Sequence, residues 1–154
     1  MMLAPNTDTP PVTYQCESFA RWYADAGPLI KREAETTGIA PLRPNLRDYV
    51  KREETSGLIV LTARVRGELA GYLLYNLFIH PHYTLLAAEP DLFFVASEHA
   101  SMFIGKGLLA FAESFMRGCG VKIWCARVPH GARHGRLYER MGFKPTEMLY
   151  IKML

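Results

Sequence analysis

Between Leu58 and Val95 the chain carries three apolar runs nearly back to back, and no other feature constrains the fold as much. Leu58–Val65 and Leu69–Ile79 are rich in β-branched and large apolar residues. Arg66-Gly67-Glu68 between them reads as a turn, so a β-hairpin is expected. His80-Pro81-His82 breaks the second strand, and the third run, from about Leu85 to Val95, holds Leu92-Phe93-Phe94-Val95 and reads as a central strand. A sheet of this kind must be covered by helices, and the flanks supply them. Upstream, Val12–Cys16 reads as a first strand, followed by a helix with Phe19, Trp22, Tyr23 and Ala26 on one face. Gly27-Pro28 is expected to interrupt that helix, which resumes over Leu29–Thr37 until Gly38. Pro41-Leu42-Arg43-Pro44-Asn45 cannot be helical throughout, and Asn45 can cap a short helix to about Glu54. Downstream, Ser97–Phe103 is irregular. Ile104, Leu108, Phe111, Ala112 and Phe115 then mark one helix face, and Gly118-Cys119-Gly120 stops that helix. Val121–Val128 reads as a strand, Ala132–Met141 as a short helix ending at Gly142, and Glu147–Met153 as a last strand. The resulting order, β-α-α-β-β-β-α-β-α-β, predicts an α/β fold with one mixed, mostly antiparallel sheet and helices on both faces.

The 154 residues make one domain's worth of chain, with residues 1–11, which include Pro5, Pro10 and Pro11, as a loose arm before a single domain over 12–154. A composition of 49% hydrophobic and 21% charged residues excludes a disordered, collagen-like or coiled-coil chain. No apolar run approaches the roughly 18 residues of a membrane span. Met1–Asn6 lacks a basic segment followed by an apolar one, so no signal peptide is expected. Three cysteines, Cys16, Cys119 and Cys125, are too few for a disulfide scaffold, and a reduced, cytoplasmic setting is expected. The net charge of +3 is unevenly placed: residues 1–77 hold nine Lys/Arg and nine Asp/Glu, whereas from His99 onward nine Lys/Arg face only Glu113, Glu139 and Glu147. That local excess attracts anions without saying which, and a solvated basic face accounts for it equally well.

An apolar strand, an irregular loop and a glycine-containing helix start form a general device for phosphates, because the first free N–H groups and the helix dipole both favour an anion. Here the strand is Leu92–Val95, the loop Ser97–Phe103, and the helix opens at Ile104-Gly105-Lys106-Gly107. Gly105 lets backbone approach a ligand and Lys106 adds charge. Together with Asp91–His99, Ile104–Glu113 and Leu137-Tyr138-Glu139-Arg140-Met141-Gly142-Phe143, this context resembles the GCN5-related N-acetyltransferase (GNAT) superfamily. The ending Tyr150-Ile151-Lys152-Met153-Leu154 and the hairpin Arg66–Tyr72 look most like its compact phage- and prophage-encoded branch.

The resemblance covers roughly Leu58 to Leu154 and implies a GNAT fold with splayed central strands and acetyl-CoA as co-substrate, without a metal. It also implies an amine acceptor, either a small molecule or a protein lysine or N-terminus. Pairing into a homodimer is common in such domains. The backbone of Phe93, Phe94 and Val95 would hold the pantetheine arm, and Ala100, Ser101, Met102, Phe103, Ile104, Gly105, Lys106 and Gly107 the pyrophosphate. The loop departs from the family pattern. Its basic residue is replaced by Ala100, a glycine falls on Phe103 or Met102, and the usual Asn of the second motif falls on Gly131. Phosphate binding would then rest on backbone N–H groups near Phe103–Gly107, with Lys106 or an arginine from elsewhere.

Acetyl transfer to an amine needs positioning of the thioester, a base for the amine proton and a donor for the departing thiolate. The resemblance places the donor at Tyr138, which could equally be a core tyrosine. It places the base at Glu89, eleven residues before Ala100. Period-2 alternation puts Glu89 on one strand face with Asp91, Phe93 and Val95, so Asp91 competes for the role, and a carboxylate there would be partly desolvated. His82-Tyr83 matches a pair in the phage branch and could line the acceptor pocket, although surface histidines explain it as well. His80 and His82 lack a third metal ligand at sensible spacing, and Cys119 and Cys125 read as buried small residues. Two other readings stand beside the enzyme. One is a catalytically inactive GNAT-fold binding protein, motivated by Ala100, Met102 and Phe103. The other, a nucleic-acid-binding module, lacks aromatic–basic interleaving.

Overall fold

A parallel strand pair at the end of an otherwise antiparallel sheet sets the architecture. The computed structural model describes residues 10–37, 42–129 and 135–154, with backbone alone at 32–37 and 100–102. Most of the expected arm (residues 1–9), the Gly38 stop, Pro41 and the segment at Gly131 lie outside the described residues. The elements are β1 (Val12–Cys16), α1 (Phe19–Thr37), α2 (Leu46–Glu54), β2 (Leu58–Val65), β3 (Glu68–Ile79), β4 (Leu86–Val95), a 3-10 helix (Ser97–Met102), α3 (Ile104–Gly118), β5 (Ile123–Trp124) and α4 (Gly135–Arg140). The sheet order is β1-β2-β3-β4-β5. Its first three pairings are antiparallel, and β4–β5 is parallel. The hairpin turns over Arg66 (φ 51°) and Gly67 (φ 81°), both left-handed, which is the two-residue turn that matches strand twist.

Alternation along β2 and β3 feeds two cores. Ile59, Leu61, Ala63, Leu73 and Tyr75 pack with Ile104, Leu108, Ala112 and Met116 of α3 and with Tyr138 of α4. Leu58, Val60, Tyr72 and Leu74 pack with Phe19, Trp22 and Ala26 of α1, and Tyr49 of α2 closes that side. Side chains cap the starts of both front helices. Asn45 accepts the Asp48 N–H at 3.3 Å to start α2, and Glu53 near its end accepts the Phe19 N–H at 2.6 Å to start α1.

Four expectations change. Gly27-Pro28 does not interrupt α1: Pro28 lies within one helix, and Ala24 and Pro28 are both exposed, so the carbonyl that loses its partner faces water. The irregular loop is a 3-10 helix. The strand expected over Val121–Val128 is only Ile123–Trp124. The carbonyls of Leu86 and Ala88 accept from Lys122 and Cys125, so by alternation the next β4 residue facing β5 is Pro90, which has no N–H to give. Finally, Glu147–Met153 forms no strand and its large apolar side chains are exposed. The Phe143 ring already lies 4.7 Å from Trp124, so the apolar run begins past the end of β5.

A buried ion pair pins α1 to the sheet. Arg64 Nε and Nη2 donate to Glu17 at 2.6 and 2.9 Å, Nη2 reaches Asp25 at 2.8 Å, and Nη1 donates to the Gly67 carbonyl at 2.9 Å. Burial alone would raise the Glu17 carboxyl, but hydrogen bonds from Arg64 and Gln15 outweigh it and hold it below the usual carboxylate range. Removing one partner strands a buried charge. Glu17→Gln or Arg64→Met is therefore expected to cost about 3–5 kcal/mol in denaturant unfolding, and the double variant less than the sum. Because the folded-state pKa of Glu17 is depressed, its contribution is full above its ordinary value and is lost as pH falls through the lower folded value. The wild-type advantage over Glu17→Gln should therefore shrink in acid unfolding curves.

Candidate active site

The end of β4–β5 pairing at Ala88 organises the site. β4 continues to Val95 with β3 as its only strand neighbour among the described residues. The β3–β4 register slips between Leu74 and Tyr75, which face Leu92 and Pro90, so Asp91 is the extra residue of a β-bulge. This corrects the simple alternation. Glu89 pairs with Asn76 and shares the α1/α2 face with Leu92 and Phe94, whereas Phe93 and Val95 pack in the α3 core.

Both carboxylates therefore sit near α2. Glu89 accepts from Arg127 Nη2 at 3.4 Å, and both side chains are substantially exposed. Asp91 Oδ2 is buried with no partner at hydrogen-bonding distance among the described residues. Burial, and then the neighbouring Asp91 carboxylate, push the Tyr49 hydroxyl up to about 12, against the pull of Arg52. Arg52 stacks over the Tyr49 ring at 4.5 Å, pairs with Asp48 at 2.9 Å and donates to Asn76. Tyr49, Arg52, Asn76 and Arg127 are the residues that sequence reasoning missed. The only sequence signal for them is the Asp48/Arg52 spacing on α2, which also suits an ordinary surface pair.

Tyr138 lies across the sheet, in the α3 core, buried with its ring 6.5 Å from Phe93 and 5.3 Å from Phe143. Burial pushes its hydroxyl up to about 12, so it keeps its proton at neutral pH and can donate. After the 3-10 helix, Phe103 is held left-handed (φ 54°, ψ 29°) and is 74% exposed, immediately before α3. The first intrahelical bond of α3 runs from the Gly107 N–H to the Phe103 carbonyl at 3.0 Å, which leaves the amides of Ile104, Gly105 and Lys106 without intrahelical acceptors. A Cβ on Gly105 would meet Val95 and Phe93 at ordinary contact distance, 3.5 and 3.6 Å, and Lys106 is exposed. An open strand edge followed by the first-turn amides of a helix and a lysine fits a thioester on a pantetheine arm ending in a pyrophosphate.

The profile of the acetyltransferase (GNAT) family matches residues 16–143. The chain belongs to the GNAT family. Among curated protein sequences none matches it. Its fold is similar to a ribosomal-protein-alanine N-acetyltransferase from Brucella melitensis biovar Abortus 2308 (TM-score 0.71, 21% identity, 94% of this chain and 99% of that one). It is also similar to an aminoglycoside acetyltransferase from an uncultured soil metagenomic sample in complex with sisomicin (TM-score 0.73, 13% identity, 96% and 97%). A predicted acetyltransferase with acetyl-CoA from Clostridium acetobutylicum is a third likeness (TM-score 0.71, 14% identity, 92% and 96%).

Within this GNAT domain His82 and Tyr83 lie in the β3–β4 turn, where His80 sits 4.7 Å from the Tyr83 ring and 5.6 Å from that of His82. Both are exposed, and no group of three metal-ligating side chains exists among the described residues. Cys119 is exposed and Cys125 half-buried, contrary to the reading of both as buried residues. Cys119 follows the last residue of α3, where side chains meet water.

The start of α3 is fixed by Tyr14 of β1, whose hydroxyl would stand 1.9 Å from a Cβ at Gly107. An alanine in a helix ordinarily gains up to about 1 kcal/mol over glycine. Here Gly107→Ala is expected to lose about 1–3 kcal/mol in denaturant unfolding, because the Tyr14 ring must move. In a Tyr14→Ala background the same change should cost nothing further. An equal cost in both backgrounds would place the loss elsewhere.

Proposed function

We propose that this chain is an acyl-CoA-dependent N-acyltransferase that moves an acetyl group from acetyl-CoA to a primary amine by direct attack. The reading is carried by the end of β4–β5 pairing at Ala88, which opens the sheet between a face bearing Glu89 and a face bearing Tyr138. A thioester held in that opening is reached by an amine from the α2 side and by a proton donor from the α3 side.

In this scheme the backbone of Phe93, Phe94 and Val95 aligns the pantetheine arm. The amides of Ile104, Gly105 and Lys106, with the Lys106 ammonium, hold the pyrophosphate. Glu89 takes the amine proton directly or through water as the N–C bond forms. The C–S bond breaks, and the Tyr138 hydroxyl gives its proton to sulfur; solvent then restores both groups. The Glu89–Arg127 pair is exposed and worth about 0–1 kcal/mol, so an arriving cationic amine displaces Arg127 at little cost. Asp91, beside Tyr49, is the alternative base. The acceptor is a small amine or a protein lysine or N-terminus, with His82 and Tyr83 at the rim. The Tyr150–Leu154 ending supports placement in the compact phage-like branch, and a cytoplasmic setting accords with reduced cysteines.

Calorimetric titration with acetyl-CoA tests the reading, with Gly105→Glu as control. An unchanged denaturant midpoint of Gly105→Glu, whose glutamate would sit favourably at the helix dipole, shows that lost binding reports repulsion of phosphate and not unfolding. Micromolar binding abolished by Gly105→Glu is expected, and with a competent amine Glu89→Gln should lower kcat about 10²–10⁴-fold. Tyr138→Phe should lower kcat with KM for acetyl-CoA little changed. With its hydroxyl up to about 12, Tyr138 should contribute no alkaline limb to the rate profile near neutral pH. One observation favours a second reading, a GNAT-fold binding protein without catalysis. Phe103 is exposed and left-handed where the family loop carries glycine, and such a side chain can serve as a contact for a protein partner. Absence of heat at millimolar acetyl-CoA would leave that reading in place of the enzyme.

A further inference from the structure

We propose that Tyr75, backed by the Trp124 N–H, holds the negative charge left on Tyr138 when that residue gives its proton to sulfur. The proposal rests on the reading above, in which Tyr138 is the acid. Tyr75 and Trp124 stand on the α3 side of the sheet, where β4–β5 pairing ends. Tyr75 pairs with Pro90 across β3–β4, and Trp124 pairs with Ala88 across β4–β5. Their rings lie 6.2 Å apart. Trp124 and Tyr138 both meet Phe143 edge-on, at 4.7 and 5.3 Å, and Tyr75 and Tyr138 belong to one core.

Two polar atoms in this cluster lack acceptors. The Tyr75 side chain is fully buried, and neither its hydroxyl nor the Trp124 Nε1 has a hydrogen-bond partner among the described residues. An enclosed donor without an acceptor is costly, so each such atom calls for a role. A phenylalanine at position 75 would fill the same space without that cost.

The chemistry at Tyr138 supplies the acceptor. Burial pushes its hydroxyl up to about 12, whereas an ordinary thiol ionises near about 8.5. The phenol therefore passes its proton to a thiolate uphill, by roughly three powers of ten, unless its phenolate is stabilised. The transfer breaks the Tyr138 O–H bond and forms an S–H bond, and the electron pair stays on the Tyr138 oxygen. A hydroxyl turns about its C–O bond, so the Tyr75 O–H can point to that oxygen while keeping its own proton. Burial pushes the Tyr75 hydroxyl up, and the Trp124 N–H, short of full hydrogen-bond geometry, pulls it down. Tyr138 and Cys125 then push it up further. Tyr75 thus keeps its proton and acts as a donor. A donor engaged only as charge develops speeds the chemical step without tightening substrate binding.

A fluorinated tyrosine incorporated at position 138 tests this by fluorine NMR, since it is more acidic than tyrosine and ionises while the domain stays folded. Tyr75→Phe is expected to make the phenol at 138 about tenfold less acidic, because a hydrogen bond to a charged group is lost. Trp124→Phe should act in the same direction by a smaller factor. With a competent amine, Tyr75→Phe should lower kcat about tenfold and leave KM for acetyl-CoA unchanged. An unmoved titration at 138 in Tyr75→Phe, or wild-type kcat despite a moved titration, overturns the proposal. Should Tyr75→Phe fail to fold, the Trp124→Phe titration decides, and no movement there overturns it. The titration needs neither acetyl-CoA nor an acceptor, so a chain that binds no acetyl-CoA defeats the enzyme reading on separate grounds.

Discussion

A proline at one position of an inner strand determines what the rest of this molecule can do. The ladder between β4 and β5 uses the carbonyls of Leu86 and Ala88, and the next β4 residue turned toward β5 is Pro90, which has no hydrogen to donate. Pairing stops there, and the strand absorbs an extra residue at Asp91 against β3. Two consequences follow from that short stretch of backbone. The sheet opens between strands that would otherwise be sealed, and Glu89 and Asp91 turn to the α2 side while Phe93 and Val95 stay in the α3 core. The two carboxylates thus stand on one side of the sheet and the buried Tyr138 phenol on the other.

The elements that follow local rules were legible in the sequence. The hairpin is written by two apolar runs around a turn whose residues accept left-handed backbone, and α2 by an asparagine cap followed by a charged face. The GNAT family was legible from the strand–loop–helix at 92–107 and the Tyr138 helix. What escaped were features set by pairing between distant segments. Alternation counted back from Val95 gives the wrong face for Glu89, because a bulge depends on the partner strand and leaves no trace in the strand's own pattern. The environment of Asp91 depends on Tyr49, some forty residues earlier in the chain, which no local spacing announces. Pro28 reads as a breaker, yet tertiary packing of Phe19, Trp22 and Ala26 carries the helix past it at a solvent-facing position.

Charge is used in two different ways on the α1/α2 side of the sheet. Arg64 is enclosed by Glu17, Asp25 and the Gly67 carbonyl, each of its nitrogens engaged, and it ties α1 to β2. Loss of either buried member, Glu17 or Arg64, is costly, because the charge left behind loses its bidentate partner in a site shielded from water. Glu89 and Arg127 meet at 3.4 Å with both side chains largely in solvent, where little free energy holds them together. The rigid cluster fixes α1 against the sheet, and the loose pair leaves the Glu89 carboxylate partly open to solvent, so ion pairs of opposite character share one face.

The loop before α3 holds a left-handed turn that glycine ordinarily takes. A glycine at the place of Phe103 would adopt φ 54° without penalty, whereas a phenylalanine there costs about 1–2 kcal/mol. That cost is retained because the residues on either side over-determine the turn. Ala96 closes β4 through its N–H to the Ala70 carbonyl, and Gly107 begins the α3 ladder on the Phe103 carbonyl under the Tyr14 ring. With both ends fixed, only a left-handed residue joins the 3-10 helix to α3, and the first-turn amides point the same way whichever side chain stands there. The direction of those amides therefore depends on the frame of β1, β4 and α3 more than on the loop's own side chains.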